Sequence, residues 1–503
     1  MLTDAFNRLT KEESLGGHRK VEAAIAGRWI LANQLAGLGL QLLSVILLTR
    51  LLVPADFGLL AIPLFFYSFI LQFGVFGLFS GLVQQLKLEL EEVEGLFALG
   101  LFVSLACALG LVVSAPLLVK FYGNLTFLPV TVVLALTLPL ECVSAFFTSL
   151  LNRNLRYDWI LLGDFFSRLV ALTFAIGLAL CGAGVWALVV QIFISSVVRL
   201  CFFMRAFAWR PIFRRQGWFK AGALFRFGLR TTSGNLVNYL TYQVYPLALG
   251  RFGSIAATGF FNRGQALFLL PFGQASSLFE QYFFPRLSAE QANQIKFQQL
   301  LQEANHWYWA VLFPLCSVFI VSGRDLVAVL FGTEWSEAGA VTSFLAMASI
   351  PSLLTGLLPR ANAARARPAR CFWLNLVGLP FLMSSTFFIA SSGAAAVAAV
   401  FALYRLIMAV PSLLWMLRGL GLDNRCVLQG AAVRLLTLSL LVLFFRWLFV
   451  DLSRPFTAAV IVFCCASIIS LAWSLCDANL RHGIILLSRE MTFFDRFAKK
   501  SAR

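Results

Sequence analysis

The chain has 503 residues, of which 60% are hydrophobic and only 13% are charged. Soluble domains are typically about 45–50% apolar and about 25% charged, so this composition excludes a soluble globular protein. The mean hydropathy of +0.84 predicts that lipid surrounds most of the chain. The formal net charge of +17 is interpreted as loop charge that orients a membrane protein, with no nucleic acid as a partner.

Apolar stretches long enough to cross a bilayer as helices, about 20 residues each, recur along the chain. A first set of six lies at 25–49, 57–82, 95–118, 127–150, 159–180 and 185–204. A second set of six lies at 231–250, 255–284, 307–329, 338–358, 371–390 and 394–417. Two further stretches follow at 427–449 and 456–475. These stretches predict an all-α polytopic membrane protein with about 14 transmembrane helices.

The same pattern predicts how the chain is organised. Its segments are a cytoplasmic N-terminal segment at 1–24, a six-helix bundle at 25–204, a basic cytoplasmic linker at 205–230, a second six-helix bundle at 231–417, helices 13 and 14 within 418–475, and a basic amphipathic cytoplasmic tail at 476–503. Cations alternate with aromatic residues in the linker, which favours a segment lying on the anionic cytoplasmic leaflet.

Cations concentrate in the even-numbered connections between the predicted spans. These connections contain Arg153, Arg156, Arg205, Arg210, Arg214, Arg215, Lys220, Arg226, Arg360, Arg365, Arg367, Arg370, Arg418 and Arg425. The odd-numbered connections carry only Arg50, Lys120, Arg251, Arg324 and Arg454, and the connection between spans 2 and 3 is an acidic exception. The positive-inside rule therefore predicts a multi-pass protein of the bacterial inner membrane with both termini in the cytoplasm. The first apolar stretch is long enough to span, so a cleavable signal peptide is not expected.

An internal repeat links the two sets of six spans. Arg50 precedes Gly58 by eight positions, and Arg251 precedes Gly259 by the same interval, each pair at a predicted hairpin tip. The two copies lie 201 positions apart. Because six spans return a chain to its starting side, the copies would be parallel repeats about an axis along the membrane normal. Chance similarity between two apolar hairpins is the alternative.

The segments LLTRLLVPADFGLLAI and LALGRFGSIAATGFFNRGQALFLLPFGQASSLFEQYFFPRLS resemble the polysaccharide transporter family of lipid-linked oligosaccharide flippases. This family belongs to the multidrug/oligosaccharidyl-lipid/polysaccharide exporter superfamily. The resemblance implies alternating-access transport of undecaprenyl-diphosphate-linked repeat units from the cytoplasmic to the periplasmic leaflet, for O-antigen or exopolysaccharide synthesis. It implies no cofactor, leaves H⁺ or Na⁺ coupling open, and suggests a polymerase and a chain-length regulator as partners besides the lipid-linked oligosaccharide and the bilayer.

Three arginines are candidates for contact with the lipid diphosphate. Arg263 and Arg405 lie several residues inside apolar stretches, and Arg28 lies near the cytoplasmic start of the first span. Guanidinium is planar, always charged and bidentate, so it can replace the water that a diphosphate loses in the bilayer. The alternative for Arg263 and Arg405 is an ion pair or a bond to carbonyl groups between packed helices, and for Arg28 it is a surface anchor.

Two further groups of polar residues lie within the predicted spans. Glu141, Asp164 and Arg168 fall at similar depth if spans 4 and 5 form a hairpin, which predicts a buried ion pair or triad with either a packing role or a coupling role. Span 7 carries an aromatic and amide surface suited to sugars or to hydrogen bonding between helices. Its substrate-binding candidates are Asn235, Tyr239 and Tyr242.

Two other functions are alternatives to the flippase. A polytopic glycan polymerase or ligase would be an enzyme, but the sequence has no Asp-x-Asp element and no large loop that could hold a catalytic site. A cation-coupled drug exporter of the same superfamily would need an acidic residue in its first span. This sequence has Asn33, Gln34 and Gln41 there. The sequence therefore favours a transporter that is not an enzyme.

Overall fold

The computed structural model describes residues 18–72, 90–154, 156–206, 236–365 and 369–420, together with positions 79, 82, 462 and 465–467. Every regular element in these residues is a helix. Nine of the described helical segments are long and apolar enough to cross a membrane. The predicted all-α polytopic fold is confirmed. The count of fourteen stays a prediction, because most of the last two predicted spans lies outside the described residues.

Among the described residues, the first half of the chain forms six helices. Five of them each contain one predicted span, whereas the second helix contains only the first part of the span predicted at 57–82. The six helices are α1 (His18–Leu51), α2 (Pro54–Ile70), α3 (Leu90–Tyr122), α4 (Phe127–Arg153), α5 (Tyr157–Leu180) and α6 (Val185–Arg205). The turn from α5 to α6 contains Gly182 and Gly184, whose φ angles are 76° and 56°. These left-handed conformations favour glycine, so this end of the hairpin is fixed by the sequence.

The second half is more interrupted. Its helices are α7 (Leu236–Gln243), α8 (Tyr245–Phe252), α9 (Ile255–Ala289), α10 (Gln294–Leu330), α11 (Ser336–Ala348), α12 (Ile350–Thr355), α13 (Leu358–Ala364), α14 (Ala369–Ile389), α15 (Ala394–Ile407) and α16 (Ala409–Leu420). Short 3₁₀ turns occupy Thr333–Trp335 and Ala390–Ser392. The break before α8 and the break before α12 each place a proline in the first turn of the new helix. Proline has no N–H to continue the preceding helix, so it is favoured at such a start.

By its internal contacts the chain divides into two compact units. The first unit comprises Met1–Arg263 and Met383–Ala394. One of its hydrophobic clusters contains three packed rings: Phe97 and Phe79 lie edge-on to Phe146, with ring centroids 4.9 and 5.5 Å from that of Phe146. This cluster joins α3 to α4 in the interior of the unit.

The second unit comprises Gly264–Leu382 and Ala395–Arg503. Here α9 and α11 approach closely, since the hydroxyl of Thr342 donates to the carbonyl oxygen of Gly264 at 3.2 Å. The ring of Phe268 on α9 meets that of Phe319 on α10 at a centroid distance of 5.4 Å. A small residue on one helix and rings on another therefore hold α9, α10 and α11 together.

Candidate functional site

Arg263 lies in α9 and is the last residue of the stretch Met1–Arg263 that belongs to the first unit. Its Nε and Nη2 both donate to the side-chain oxygen of Asn262, at 3.1 and 2.7 Å. The guanidinium carbon lies 4.3 Å from the ring centroid of Phe57 on α2. No carboxylate among the described residues pairs with Arg263. Its positive charge is supported by a neutral amide and an aromatic face, so it remains available to an anion.

Both supports of Arg263 are themselves held in place. The side-chain amide of Asn262 donates to the hydroxyl of Tyr245 at 3.4 Å, and the ring of Tyr245 stacks on Phe261 with centroids 3.9 Å apart. Phe57 is 1% exposed. The guanidinium therefore rests on side chains with little freedom to move, which favours binding of an anion in one geometry.

The helices that carry Phe57 and Arg263 cross at two glycines. A Cβ atom built on Gly58 would overlap the carbonyl oxygen of Ile255, and one built on Gly259 would overlap the carbonyl oxygen of Pro54. The Cβ atom built on Gly259 would also lie 3.2 Å from the backbone nitrogen of Gly58. Only glycine at both positions allows α2 and α9 to approach this closely.

Of the three candidates on span 7, the structure describes the side chains of two. Tyr239 donates to the carbonyl oxygen of Phe65 at 2.7 Å and so connects α7 with α2. Tyr242 lies three positions further along α7, and Asn235 lies outside the described residues. A contact between any of these three and a sugar stays a prediction.

The buried carboxylate of Glu141 pairs with Arg199 on α6 and accepts a hydrogen bond from Ser196. The prediction that Glu141 pairs with Arg168 is therefore wrong. Glu141 lies 14 positions after the first residue of α4 and Arg199 lies 14 positions after the first residue of α6. Helices two apart in a bundle of alternating direction run parallel, so equal depth was the signal that the sequence offered. A hairpin of spans 4 and 5 does not include α6, so the sequence prediction omits Arg199.

Asp164 and Arg168 lie on α5 but face α1. The side-chain amide of Asn33 donates to Asp164 at 3.4 Å, and the guanidinium of Arg168 lies over Gly37, which has no side chain to obstruct it. Within the described residues, Arg168 forms no ion pair with Glu141. The predicted triad is therefore divided between two places, one on α4 and α6 and the other on α1 and α5. A coupling role for these residues stays a prediction.

Arg405 on α15 lies at a helix break. Its Nη2 donates to the hydroxyl of Ser352 at 2.8 Å, and its Nε lies 3.4 Å from the carbonyl oxygen of Ala348, where α11 ends. A cation there satisfies carbonyl groups at a helix C-terminus, which is the alternative that the sequence left open. Contact of Arg405 with substrate stays a prediction. Arg28 lies in α1, and its side chain is outside the part of the chain that the structure describes.

Comparison with known proteins gives the same assignment as the sequence resemblance. Residues 47–340 match the family model described as polysaccharide biosynthesis protein. The succinoglycan biosynthesis transport protein ExoT of Rhizobium meliloti is 27% identical over 63% of this chain. That match spans 64% of the length of the relative, which is slightly less than two thirds. The lipopolysaccharide biosynthesis protein WzxC of Escherichia coli is 21% identical over 71% of this chain and 73% of its own length.

Solved structures share the fold. The lipid II flippase MurJ in an inward closed conformation aligns with a TM-score of 0.71, covering 89% of this chain and 98% of its own, at 12% identity. An inward-facing multidrug resistance transporter of the MATE family, within the MOP superfamily, aligns with a TM-score of 0.58 over 76% of this chain and 94% of its own, at 14% identity. These likenesses confirm the predicted fold, and the family match extends over more than half of the chain. On that match, this multi-pass membrane protein belongs to the polysaccharide biosynthesis protein family.

Proposed function

We propose that this protein is a flippase that moves undecaprenyl-diphosphate-linked oligosaccharide repeat units from the cytoplasmic to the periplasmic leaflet by alternating access. The observation that carries the proposal is the guanidinium of Arg263, which lies within an apolar span on an amide and a ring, with no carboxylate partner among the described residues. Family membership and the names of the relatives as biosynthesis and transport proteins support it.

The chemistry of the cargo explains why such an arginine would be needed. A lipid diphosphate must lose much of its hydration on its way through the membrane, and an unpartnered charge in a bilayer costs several kcal/mol. A guanidinium can donate two parallel charge-assisted hydrogen bonds to phosphate oxygens. An arginine already neutralised by a carboxylate would offer less. Arg263 is not neutralised in this way, whereas Arg199 is paired with Glu141.

The remaining features of the proposal follow from the same assignment. Both termini would lie in the cytoplasm, and the protein would move its cargo without making or breaking a covalent bond. Asn235, Tyr239 and Tyr242 would contact the sugars. Coupling to H⁺ or Na⁺ would act through the carboxylates of Glu141 or Asp164, and a polymerase and a chain-length regulator would use the delivered repeat units.

Reconstitution into liposomes tests the proposal directly. Fluorescently labelled undecaprenyl-diphosphate-linked oligosaccharide would be incorporated, and its arrival in the opposite leaflet would be followed by a quencher that cannot cross the membrane. The wild-type protein should move the label, whereas protein-free liposomes should not. Absence of movement by well-inserted wild-type protein, with movement of a lipophilic cation instead, would replace the flippase with the drug exporter.

The role of Arg263 is tested by complementation of polymer export, normalised to the amount of protein in the membrane. Arg263→Ala should reduce export about ten- to hundred-fold, the loss expected when a charge-assisted hydrogen bond is removed. Arg263→Lys should restore part of it, because a point charge replaces a bidentate fork. Arg286→Ala is the matched control, since Arg286 is an exposed arginine further along α9. Full export by Arg263→Ala would remove Arg263 from the binding site.

A further inference from the structure

The contact between α2 and α9 is reciprocal. Gly58 faces the carbonyl oxygen of Ile255, and Gly259 faces that of Pro54. Ile255 is 201 positions after Pro54, and Gly259 is 201 positions after Gly58. Ile255 and Pro54 are thus equivalent positions in the two copies of the repeat, as are Gly259 and Gly58. Each glycine therefore contacts the first residue of the helix that carries the other glycine. Such an isologous contact is what a two-fold relation between the repeats produces where its axis passes between two helices.

Each side of this crossing is attached separately to the rest of the first unit. Asp56 on α2 accepts hydrogen bonds from the backbone N–H groups of Val53 and Val185, so the start of α2 is tied to the start of α6. On the other side, Gly253, just before α9, lies against the carbonyl oxygen of Ala390, because a Cβ atom built on Gly253 would come within 2.7 Å of that oxygen. The two helices are thus held by different turns, and at each glycine the backbone of one helix lies against the backbone of the other.

Arg263 lies one helical turn beyond Gly259 on α9, and Phe57 immediately precedes Gly58 on α2. The guanidinium–ring contact of 4.3 Å therefore lies beside the glycine crossing and joins the same two helices. Separation of α2 from α9 by the width of one methyl group would carry the ring away from the cation. Cation–π attraction requires the cation to stay within about 6 Å of the ring centroid.

We infer that Phe57 positions the Arg263 guanidinium for an anionic diphosphate, and that this position exists only while Gly58 and Gly259 hold α2 against α9. The inference rests on the proposed function and adds a coupling to it. Binding of the diphosphate and closure of the crossing stabilise each other, because each requires the geometry that the other fixes. Parting of the two helices then weakens the hold on the diphosphate.

The role of Phe57 is tested by binding of undecaprenyl diphosphate, without sugar, to the full-length protein in nanodiscs. Phe57→Leu keeps an apolar side chain but removes the ring, and should weaken binding about ten-fold, a ratio within the range of cation–π contacts. Phe57→Trp should retain or improve affinity, since the indole ring is the strongest partner for a cation. Equal affinity of the Leu variant and wild type would overturn the positioning role.

The role of the crossing is tested by Gly259→Ala, with Gly273→Ala as control. Gly273 lies on the same helix, and a Cβ there meets nothing within 4 Å. Gly259→Ala should weaken diphosphate binding about as much as Phe57→Leu. The double variant Phe57→Leu/Gly259→Ala should bind no worse than either single variant, because both substitutions remove the same contact between the ring and the guanidinium. Multiplied losses in the double variant, or unchanged affinity in Gly259→Ala, would refute the coupling.

A distance measurement separates this inference from the proposed function. Spin labels would be placed at the exposed positions Val53, just before α2, and Phe252, shortly before α9, in a variant without native cysteines. The distance between the two labels reports the separation of the starts of α2 and α9. Gly259→Ala should lengthen or broaden that distance without ligand, whereas Gly273→Ala should not. If wild-type protein bound no diphosphate, the proposed function would fail. An unchanged label distance in Gly259→Ala would overturn the closed crossing whether or not diphosphate bound.

Discussion

Removing the carboxylate of Glu141 should destabilise this protein far more than breaking an ion pair at its surface. Glu141 is 6% exposed and Arg199 27% exposed at the side chain, and Nε of Arg199 is buried without a hydrogen-bond partner among the described residues. Glu141→Leu leaves the guanidinium buried with neither its ion-pair partner nor a replacement. Loss of one member of a buried pair costs about 3–5 kcal/mol of unfolding free energy.

The ion pair between Arg156 and Asp158 provides the matched comparison. Its oxygen–nitrogen distance is 3.1 Å, and the two side chains are 52% and 37% exposed. Water already solvates both charges, so Asp158→Ala should cost only about 0–1 kcal/mol. Thermal unfolding of the two variants in nanodiscs, followed by tryptophan fluorescence at one heating rate, measures the difference. Equal midpoints for Glu141→Leu and Asp158→Ala would refute the assignment of a buried, mutually dependent pair.

A double variant separates the packing role of Glu141 from a coupling role. Replacement of a whole buried pair by apolar residues of similar size is often neutral or stabilising, so Glu141→Leu with Arg199→Met should recover most of the lost stability. Transport by this stable double variant then decides between the two roles. Retained transport means that the pair serves packing alone, whereas stable protein without transport means that a charge is needed for coupling.

Three further predictions concern the second unit and glycine packing. Arg405→Ala should cost about 1–3 kcal/mol of stability, because it leaves the carbonyl group of Ala348 unsatisfied; loss of transport at unchanged stability would instead support substrate contact. Asn305→Ala should lower the unfolding midpoint, since the Asn305 side chain accepts from a backbone N–H at 2.8 Å beside a helix break. Gly339→Ala should destabilise the protein, because its Cβ would lie 2.8 Å from the backbone of α10. Gly177→Ala, which has open space around it, should instead raise the free energy of unfolding by up to about 1 kcal/mol, as measured by thermal unfolding.

Five helices of the first half could be predicted from hydropathy, because five of its six predicted spans each lie within one continuous helix. The second half departs from this rule. The predicted span at 307–329 lies in α10, which already begins at Gln294. Hydropathy identifies the part of a helix that lies in the membrane and does not report how far the helix extends beyond it. The predicted spans at 231–250 and 338–358 are broken before Pro246 and Pro351. The sequence shows these prolines, but other prolines, such as Pro139 in α4, lie inside unbroken helices.

The candidate site could be predicted residue by residue but not contact by contact. Arg263 stood out because a charge inside an apolar stretch is costly wherever it points. Phe57 did not stand out, because a single phenylalanine among 51 carries no signal of the cation above it. Likewise, the repeat spacing singled out Gly58 and Gly259. That they touch each other depends on the angle between two helices, which the spacing does not encode.

The environments of three intramembrane arginines are the strongest reason to distinguish Arg263 from Arg199 and Arg405. Arg199 meets a carboxylate and Arg405 meets the end of a broken helix. Either contact satisfies a guanidinium within the protein, so its cost of burial is offset by structure. Arg263 meets an amide oxygen of its own helix and an aromatic face, contacts that orient a cation without neutralising it. A buried charge kept oriented but not neutralised favours folding less than a paired one would, and binding of an anion supplies the missing stabilisation. This predicts that undecaprenyl diphosphate raises the thermal midpoint of the wild-type protein in nanodiscs but not that of Arg263→Ala, and equal shifts in both would place the anion elsewhere.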